Sequence, residues 1–424
     1  MPVLYPLGGG ADDTVRLNVA LHLLDDVVLG AGTFILSDML TLNRAVRLRA
    51  ETAGAAVLRR ATLGTGKRLA EITANDVVLS GIVFEGPLAG VYVANEDLVR
   101  IVGTSAAAPL ERTTIDRCTF RNVGSAGLKG TFADHVSVTN CTFAGCGYAG
   151  AMFLSCMHGV FNDNTIGTVG PGTQNNGYGV SFTHDSTGWP GTRATQPFCD
   201  DWTVERNAVD GVEWEGIDSH GGSRIVVRRN TVTNCGIGIA VASSSGAASD
   251  YAGEHNHISD NVVDGGTRAN TSAGIIIDGG SVEQQRNTKV TGNRITRHGV
   301  PSHQYSGAIL ASHCVDCVVD GNIVDEWGTS VVYTSGVMTN MVIRNNRIGT
   351  IADDADSFGY ALYSDALSGL HTFANNNVDV DAAIPPRRGV QAAQLATRPV
   401  FGYNELYRST EAAYVLFDNS WVPT

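Results

Sequence analysis

Residues 215–222 read EGIDSHGG and place an aspartate and a histidine, Asp218 and His220, two positions apart. A carboxylate and an imidazole can exchange protons near neutral pH, so the pair can serve acid/base chemistry. Both side chains must then leave the backbone on the same side. A β-strand meets this condition, because its side chains alternate between two faces and residues two apart lie ~6–7 Å from each other.

A short repeat indicates which elements hold these residues. An apolar residue is followed by two mostly polar residues, then Asn or Cys, one variable residue and another apolar residue. The fourth position forms a column along the chain: Cys118, Cys141, Asn164, Asn207, Asn230, Asn261, Asn293, Asn322, Asn346 and Asn376. Cys118, Cys141 and Asn164 are 23 residues apart, a spacing typical of solenoid coils made of short strands. The repeat predicts a parallel β-helix whose inward asparagine amides bond from coil to coil.

In this repeat the sequence resembles the pectate-lyase-like superfamily of right-handed parallel β-helices. Residues 10–24, GADDTVRLNVALHLL, resemble the short N-terminal capping helix of that superfamily, with Asp12 or Asp13 near the N-cap. The resemblance implies an all-β, right-handed parallel β-helix solenoid. We expect an N-terminal cap over residues 1–28, the β-helix over 29–383, and a C-terminal cap or oligomer contact over 384–424.

Composition excludes several function classes. The net charge of −13 disfavours binding to nucleic acid or to anionic membranes, since both require a basic surface. No apolar run is long enough to span a bilayer. The start, MPVLYPLGGGADD, lacks the basic flank and apolar core of a secretion signal, which predicts cytosolic synthesis and leaves a virion-associated or extracellular location open. The eight cysteines predict buried, reduced thiols rather than a disulfide framework.

Strands that begin with glycine precede the asparagine turns, as in GLKGT (127–131), GVSFT (179–183), GIDSH (216–220), GIIID (274–278) and GAILA (307–311). Alternation predicts that the first and third residues after each glycine face the core, and that the second and fourth face outward. Asp218 and His220 then lie outward beside Ser181 and Thr183. The same rule predicts a set of outward apolar residues that suit a contact with another subunit: Met152, Leu154, Ile276 and Ile309.

Two long loops, at residues 184–201 and 243–255, follow the strands of the two coils that flank the coil of Asp218 and His220, and we expect them to wall a cleft over these residues. The first loop offers Trp189 to stack on a sugar face and Arg193 to bind an anionic sugar. It also carries polar residues that can bind a substrate: His184, Asp185, Asp200 and Asp201. The sequence therefore predicts a polysaccharide as the ligand.

Two kinds of catalysis stay open. The first is glycoside hydrolysis by two carboxylates, drawn from Asp218, Glu215, Glu213 and Asp278. Asp278 is expected two coils from Asp218, about 10 Å by strand spacing, near the upper end of the separation found in inverting glycosidases.

The second is uronate chemistry, because GIDSH resembles the GFDPH stretch of the mannuronan C5-epimerases. That resemblance implies acid/base roles for Asp218 and His220 at the sugar C5, in an epimerase or a polysaccharide lyase. Glu215 occupies the position of that family's catalytic tyrosine, and Tyr178, one coil earlier in the same column, is the candidate substitute. That family also requires a lysine, and Lys129 lies three coils away, ~14 Å by strand spacing.

A non-catalytic function is the third possibility. Trimeric β-helices form the shafts of phage tailspikes, which bind surface glycans, so the chain resembles a glycan-binding or structural tail protein that forms a homotrimer. No recognised ligand spacing predicts a metal site, although the acidic turn with Asp353, Asp354 and Asp356 offers oxygen ligands for calcium. No other cofactor is expected.

Overall fold

A computed structural model of the chain describes residues 3–60, 66–87, 91–170, 176–185, 195–244, 251–266, 272–280, 282–298, 307–327, 330–350, 358–363, 366–368, 372–378, 388–393, 400–401 and 412–416. The chain divides into two compact units, Met1–Asp218 and Ser219–Thr424. The division falls inside one short strand, Glu215–His220. The acidic turn at 353–356, Trp189 and Arg193 lie outside the described residues.

The first unit contains one helix and a regular series of short strands. They are α1 (Thr14–Leu23), β1 (Val3–Leu4), β2 (Asp26–Leu29), β3 (Gly32–Leu36), β4 (Leu40–Leu42), β5 (Arg47–Ala50), β6 (Ala56–Arg60), β7 (Arg68–Ile72), β8 (Val78–Ser80), β9 (Ile82–Glu85), β10 (Asp97–Val102), β11 (Leu110–Glu111), β12 (Thr114–Asp116), β13 (Thr119–Val123), β14 (Ala126–Thr131), β15 (Ala133–Asp134), β16 (Ser137–Thr139), β17 (Thr142–Cys146), β18 (Ala149–Leu154), β19 (Val160–Asn162), β20 (Thr165–Ile166), β21 (Tyr178–Thr183), β22 (Thr203–Glu205), β23 (Ala208–Asp210) and the start of β24 (Glu215–His220).

The described residues of the second unit form a series of short strands. They are β25 (Val226–Arg228), β26 (Thr231–Thr233), β27 (Ile237–Ala242), β28 (His257–Ser259), β29 (Val262–Asp264), β30 (Ala273–Asp278), β31 (Gln285–Arg286), β32 (Lys289–Thr291), β33 (Arg294–Thr296), β34 (Gly307–Ser312), β35 (Cys314–Val315), β36 (Val318–Asp320), β37 (Ile323–Asp325), β38 (Ser330–Ser335), β39 (Val337–Thr339), β40 (Val342–Arg344), β41 (Arg347–Ile348), β42 (Phe358–Tyr363), β43 (Ala366–Ser368), β44 (Thr372–Ala374), β45 (Asn377–Val378), β46 (Arg388–Ala393), β47 (Val400–Phe401) and β48 (Ala412–Leu416).

In each unit most of the described strands form three long parallel sheets, in which successive strands come from successive coils. In the first unit these sheets follow the orders β1-β2-β5-β8-β12-β16-β19-β22, β3-β6-β9-β13-β17-β20-β23 and β4-β7-β10-β14-β18-β21-β24. In the second they follow β25-β28-β32-β36-β40-β44-β47, β26-β29-β33-β37-β41-β45 and β27-β30-β34-β38-β42-β46-β48. This topology confirms the predicted right-handed parallel β-helix solenoid. The expected divisions at residues 28 and 383 stay a prediction.

The capping helix is also present, at the N-terminal end of the first unit. Asp13 occupies the N-cap position, but its side chain makes no capping bond there. Asp12 supplies a hydrogen bond to the first turn instead, because its Oδ1 accepts the Thr14 backbone N–H at 3.0 Å. Hydrogen bonds from Ser37 and Thr14 hold the pKa of the Asp12 carboxyl well below its ordinary value.

The asparagine column is buried and bonded from coil to coil, as predicted. Asn164 donates its backbone N–H to Asn207 Oδ1 at 2.9 Å in the first unit. In the second unit Asn261 donates both its backbone N–H and its Nδ2 to Asn293 Oδ1, at 3.0 and 2.9 Å. The side chains therefore satisfy buried polar groups at every turn they occupy.

The left-handed backbone conformation at these turns belongs to the residue before the column, not to the column asparagine itself. Residues with positive φ precede the column, as at Asn140 (φ 55°), Asp163 (φ 59°), Arg206 (φ 55°) and Asp260 (φ 56°). The column residue keeps an ordinary φ, and its amide is turned inward. The sharp turn and the inward bonding are thus divided between two adjacent residues.

The alternation of side chains along the strands is confirmed in most coils. Leu128, Val180 and Ile217 face the core and are buried, whereas Lys129 and Thr131 lie on the outer face and are half-buried. The alignment of the coil at residues 307–311 was wrong by one residue, because Ala273 pairs with Gly307 and Ile275 pairs with Ile309. Ile309 therefore faces the core and is 0% exposed, and Leu310 takes the outward position predicted for it. An alignment on glycine cannot detect this shift, because Gly307 pairs with Ala273 and not with the glycine of the preceding coil, Gly274.

The core of the first unit is filled by stacked aromatic side chains. Phe120 stacks on Phe84 and Phe143 at ring-centroid distances of 5.2 and 4.9 Å. All eight cysteines are free and buried, as predicted. Cys314 and Cys317 donate to backbone carbonyls at 3.3 to 3.7 Å, which is the environment of structural thiols.

We expect the Asn293→Ala substitution to destabilise the second unit. It removes the acceptor of two Asn261 donors and the donor to Ile258 O, at about 1–3 kcal/mol for each buried group left unsatisfied. Urea denaturation would show a lower midpoint, and hydrogen exchange would show reduced protection of the Asn261 amide. The control is Asn43→Ala, because Asn43 is exposed and its loss should change the free energy of unfolding by less than about 0.5 kcal/mol. Equal effects of the two substitutions would contradict the role of the column.

Candidate functional site

Strand β24 has one face toward the core and one toward the outside. Ile217 and Ser219 point to the core side and are buried, each 1% exposed. Asp218 lies on the opposite face, because consecutive side chains alternate. The strand therefore has the direction that the sequence predicts, and the aspartate is not part of the apolar core.

Asp218 is nevertheless fully buried, at 0% exposure, whereas the sequence predicts an open groove floor. Ser181 of strand β21 donates its hydroxyl to Asp218 Oδ2 at 2.6 Å. Ser181 is buried as well. A buried carboxylate requires hydrogen bonds to offset its lost hydration, and Ser181 supplies one of them.

A second carboxylate lies close to the first. Glu215, which opens strand β24, is buried, and one of its carboxylate oxygens lies within 4.8 Å of one from Asp218. Burial, followed by the negative charges of Asp218 and Glu215, raises the pKa of Tyr178 well above its ordinary value. Tyr178 therefore faces both acids and stays protonated at neutral pH.

Tyr178 belongs to a row of three half-buried tyrosines, Tyr92, Tyr148 and Tyr178, which we call the tyrosine row. The Tyr148 ring lies 5.8 Å from Tyr92 and 5.5 Å from Tyr178, in edge-to-face contacts. Tyr148, Tyr178 and Leu154 pack against a small cluster on the outer face formed by Ala126, Ala149 and Met152. Sequence reasoning missed Tyr92 and Tyr148, because neither occupies a fixed position of the repeat.

Trp214 was missed as well. It directly precedes Glu215 and is 38% exposed, which is unusual for an indole. Its backbone N–H donates to Gly177 O, which fixes its position beside the start of strand β21. The signal available in the sequence was an aromatic residue directly beside Glu215, since an indole offers a large apolar face to a ligand.

Two cations lie on the outer face of the same sheet. Pairing aligns Arg100 with Lys129, Lys129 with Met152, and Met152 with Ser181. Burial lowers the pKa of Lys129, and Arg100 lowers it further, while Asp97 and Asp185 oppose the shift. Lys129 Nζ lies 3.4 Å from Asn95 Oδ1. The register places Lys129 two strands from Ser181, in agreement with the sequence-based distance to Asp218.

The remaining predicted site residues are distributed as follows. Thr183 is half-buried, and His184 is buried against Phe198 with ring centroids 4.7 Å apart. The Asp185 backbone N–H donates to Ser155 Oγ at 2.9 Å. Asp201 lies near His158, with its Oδ2 3.7 Å from the imidazole Nε2.

Two further candidates lie in the second unit. His220 ends strand β24, is half-buried, and its Nδ1 lies 3.1 Å from Ser243 O. Oδ1 of Asp278 lies 3.9 Å from Nδ1 of His313. Glu215, Asp218 and His220 of strand β24 are all residue types that can hold a metal ion.

The comparison with protein families gave one match. The family described as "Right handed beta helix region" matches residues 73–283 and 198–393, which together exceed half of the chain. A search of curated proteins found no match. In the described part of the chain, no helix has the length and apolarity needed to cross a membrane.

Several solved structures share the fold. A tailspike protein mutant of E. coli bacteriophage HK620, in complex with a pentasaccharide, is 15% identical, with a TM-score of 0.60 over 98% of this chain and 78% of that chain. The Dettilon tailspike protein is 14% identical, with a TM-score of 0.54 over 98% of this chain and 68% of that chain. The catalytic unit of a GH87 α-1,3-glucanase from Streptomyces thermodiastaticus is 14% identical, with a TM-score of 0.55 over 97% and 68%. At these identities the similarity concerns the fold alone.

The lowered pKa of Lys129 can be measured directly, because the chain has only three lysines, Lys67, Lys129 and Lys289. After reductive ¹³C-methylation, we expect the Lys129 signal to titrate below the ordinary lysine value, since burial disfavours the ammonium form. Asp185→Asn should lower this pKa further, because it removes a favourable negative charge. Lys129→Arg assigns the signal, and a Lys129 pKa at or above the ordinary value would contradict the described environment.

Proposed function

Because the chain belongs to the family of right-handed β-helix regions, we propose that it binds a polysaccharide along the outer face of strands β14, β18, β21 and β24. We further propose that it hydrolyses this glycan with Glu215 and Asp218. The observation that carries the proposal is the pair of buried carboxylates, whose oxygens lie within 4.8 Å of each other beside Tyr178. The proteins of similar fold, two tailspikes and a glucanase, support a glycan as the ligand.

The separation of the two acids suggests the stereochemical course. Retaining glycosidases hold their carboxyl groups about 5–5.5 Å apart, whereas inverting enzymes need about 6.5–9.5 Å to admit a water. Because oxygens of Glu215 and Asp218 lie within 4.8 Å of each other, the two acids are closer than inverting enzymes require, which favours the first class, in which one acid protonates the leaving oxygen and the other attacks the sugar carbon. We therefore propose hydrolysis with retention of the anomeric configuration.

Substrate access requires a movement of side chains, because Asp218 has no exposed surface. Tyr178 is half-buried and lies beside both acids, so it is the described side chain best placed to be displaced by a sugar. Trp214 can stack on a neighbouring sugar face, and Arg100 and Lys129 can bind acidic substituents farther along the sheet. His220, on the same face of strand β24 as Asp218, is proposed as an additional proton-transfer group.

A second candidate is uronate epimerisation or lysis, favoured by Tyr178 beside Asp218. The raised pKa keeps Tyr178 protonated at neutral pH, so it cannot remove a proton, and because a higher pKa means a weaker acid it is also a poor proton donor. His220 would then have to remove the C5 proton. Non-catalytic glycan binding, and a homotrimer like that of a phage tail protein, remain predictions from the sequence.

Activity on a mixed panel of neutral and uronate glycans tests the catalytic proposal. We expect Asp218→Asn and Glu215→Gln each to lower the rate of reducing-end release by at least about 100-fold, since each removes an acid/base group. Glu51→Gln is the matched control, because it makes the same change at an exposed glutamate on an early coil of the first unit. Circular dichroism verifies the fold of each variant.

The products separate the alternatives. Retained anomeric configuration by NMR supports the carboxylate pair, whereas unsaturated products or deuterium incorporation at C5 support uronate chemistry. Full activity of Asp218→Asn and Glu215→Gln would show that the assigned pair is wrong. Glycan binding without any product would show that the protein binds glycans and does not cleave them.

Affinity electrophoresis in glycan-containing gels tests the binding surface. We expect Trp214→Ala to weaken retention about tenfold, which corresponds to about 1.4 kcal/mol, because the exposed indole no longer covers a sugar face. Tyr5→Ala is the control, since Tyr5 is also exposed but lies near the N-terminus. Unchanged retention of Trp214→Ala would remove this residue from the binding surface.

A further inference from the structure

A second cluster of titratable side chains lies outside the candidate site, in the first unit. His135 and His158 stack with ring centroids 5.2 Å apart and an interplanar angle of 23°. Asp134 Oδ1 lies 3.1 Å from His135 Nδ1 and 2.8 Å from His158 Nδ1. The same oxygen accepts the His135 backbone N–H at 2.8 Å. One carboxylate oxygen therefore faces two imidazole nitrogens.

The stacking of coils brings these residues together. Asp134 forms a parallel bridge with Met157, so His135 and His158 occupy equivalent positions of neighbouring coils. The His135 N–H donates to Met157 O, and the His158 N–H donates to Asp200 O, at 3.1 and 3.0 Å. Both histidines have left-handed backbones, with φ of 54° and 50°. Their Cα positions are thus fixed by backbone bonds, while both rings project to solvent at 62% and 45% exposure.

We propose that Asp134, His135 and His158 bind a divalent transition metal ion such as zinc. Zinc ligands lie about 2.0–2.2 Å from the metal, which places tetrahedral ligand atoms roughly 3.4 Å apart. The two measured contacts to Asp134 Oδ1 are close to this value. One ligand atom from each residue lies within 4.8 Å of the others, so exposed side chains need only a small inward movement.

The ligand types select the class of metal. Two imidazoles and one carboxylate suit zinc and similar first-row ions, whereas calcium and magnesium prefer oxygen ligands alone. In the metal-bound form Nδ1 of each histidine is deprotonated, and water completes the coordination. The Asp201 carboxylate, 3.7 Å from His158 Nε2, is placed to hold the second ring nitrogen and to orient the imidazole. A bound ion would link neighbouring coils on the outside of the first unit.

Zinc titration of the purified full chain by calorimetry tests the site. The variants are His135→Asn and His158→Asn, because asparagine tolerates a left-handed backbone better than alanine does. We expect each to weaken zinc affinity at least tenfold and to abolish the zinc-dependent rise in melting temperature. Asp201→Asn should weaken affinity less than loss of a ligand does. Calcium should give no comparable response.

The control is His255→Asn, which replaces another left-handed histidine, φ 57°, in the second unit. It should leave zinc affinity unchanged, which accounts for adventitious binding by the other histidines of the chain. Cobalt substitution adds a direct readout, because a tetrahedral site gives a visible d–d absorption that should vanish in His158→Asn. The proposal would be overturned if the unchanged chain bound no zinc, or if His158→Asn bound zinc as tightly as the unchanged chain. It would also be overturned if His255→Asn lowered zinc affinity as much as His158→Asn does.

Discussion

The structure depends on the backbone hydrogen bonds between parallel coils. Each short strand is satisfied only by the strands of the coils before and after it, so neighbouring coils must keep the same register. The turn that ends a strand is held by the buried asparagine column, in which an amide such as that of Asn293 bonds both backbone and side-chain groups of the preceding coil. If a strand slipped by one residue against its neighbour, its inward and outward side chains would change places. The apolar core and the buried asparagine column therefore both depend on the same register.

This constraint converts sequence spacing into surface rows. Arg100, Lys129, Met152 and Ser181 lie far apart along the chain, yet strand pairing aligns them on one outer face. The tyrosine row arises in the same way, one aromatic side chain from each of several coils. A binding surface for an extended polymer follows naturally from such rows, because successive sugars can meet successive coils.

The stacking of coils brings titratable side chains together at turns as well as on strands. His135 and His158 are held by left-handed turns in equivalent positions, so their rings stack without any need for a buried core. The carboxylate pair on strand β24 has the opposite environment, since Glu215 and Asp218 are buried. Exposed ligands can accept an ion from solvent, whereas the buried acids can act on a glycan only after their cover moves. The two proposals therefore rest on different parts of the first unit and stand independently.

The repeat by itself determined the fold class, the asparagine column and the facing of Ile217 and Asp218. These features follow from the alternation of side chains along each strand, which can be read directly from the local sequence. It could not determine that Asp218 is fully buried, because burial depends on side chains from other coils, such as Ser181 and Tyr178. Nor could it locate the one-residue shift at Gly307 or the meeting of Asp134, His135 and His158. Those depend on which residues pair across coils, and only the assembled sheets fix that pairing.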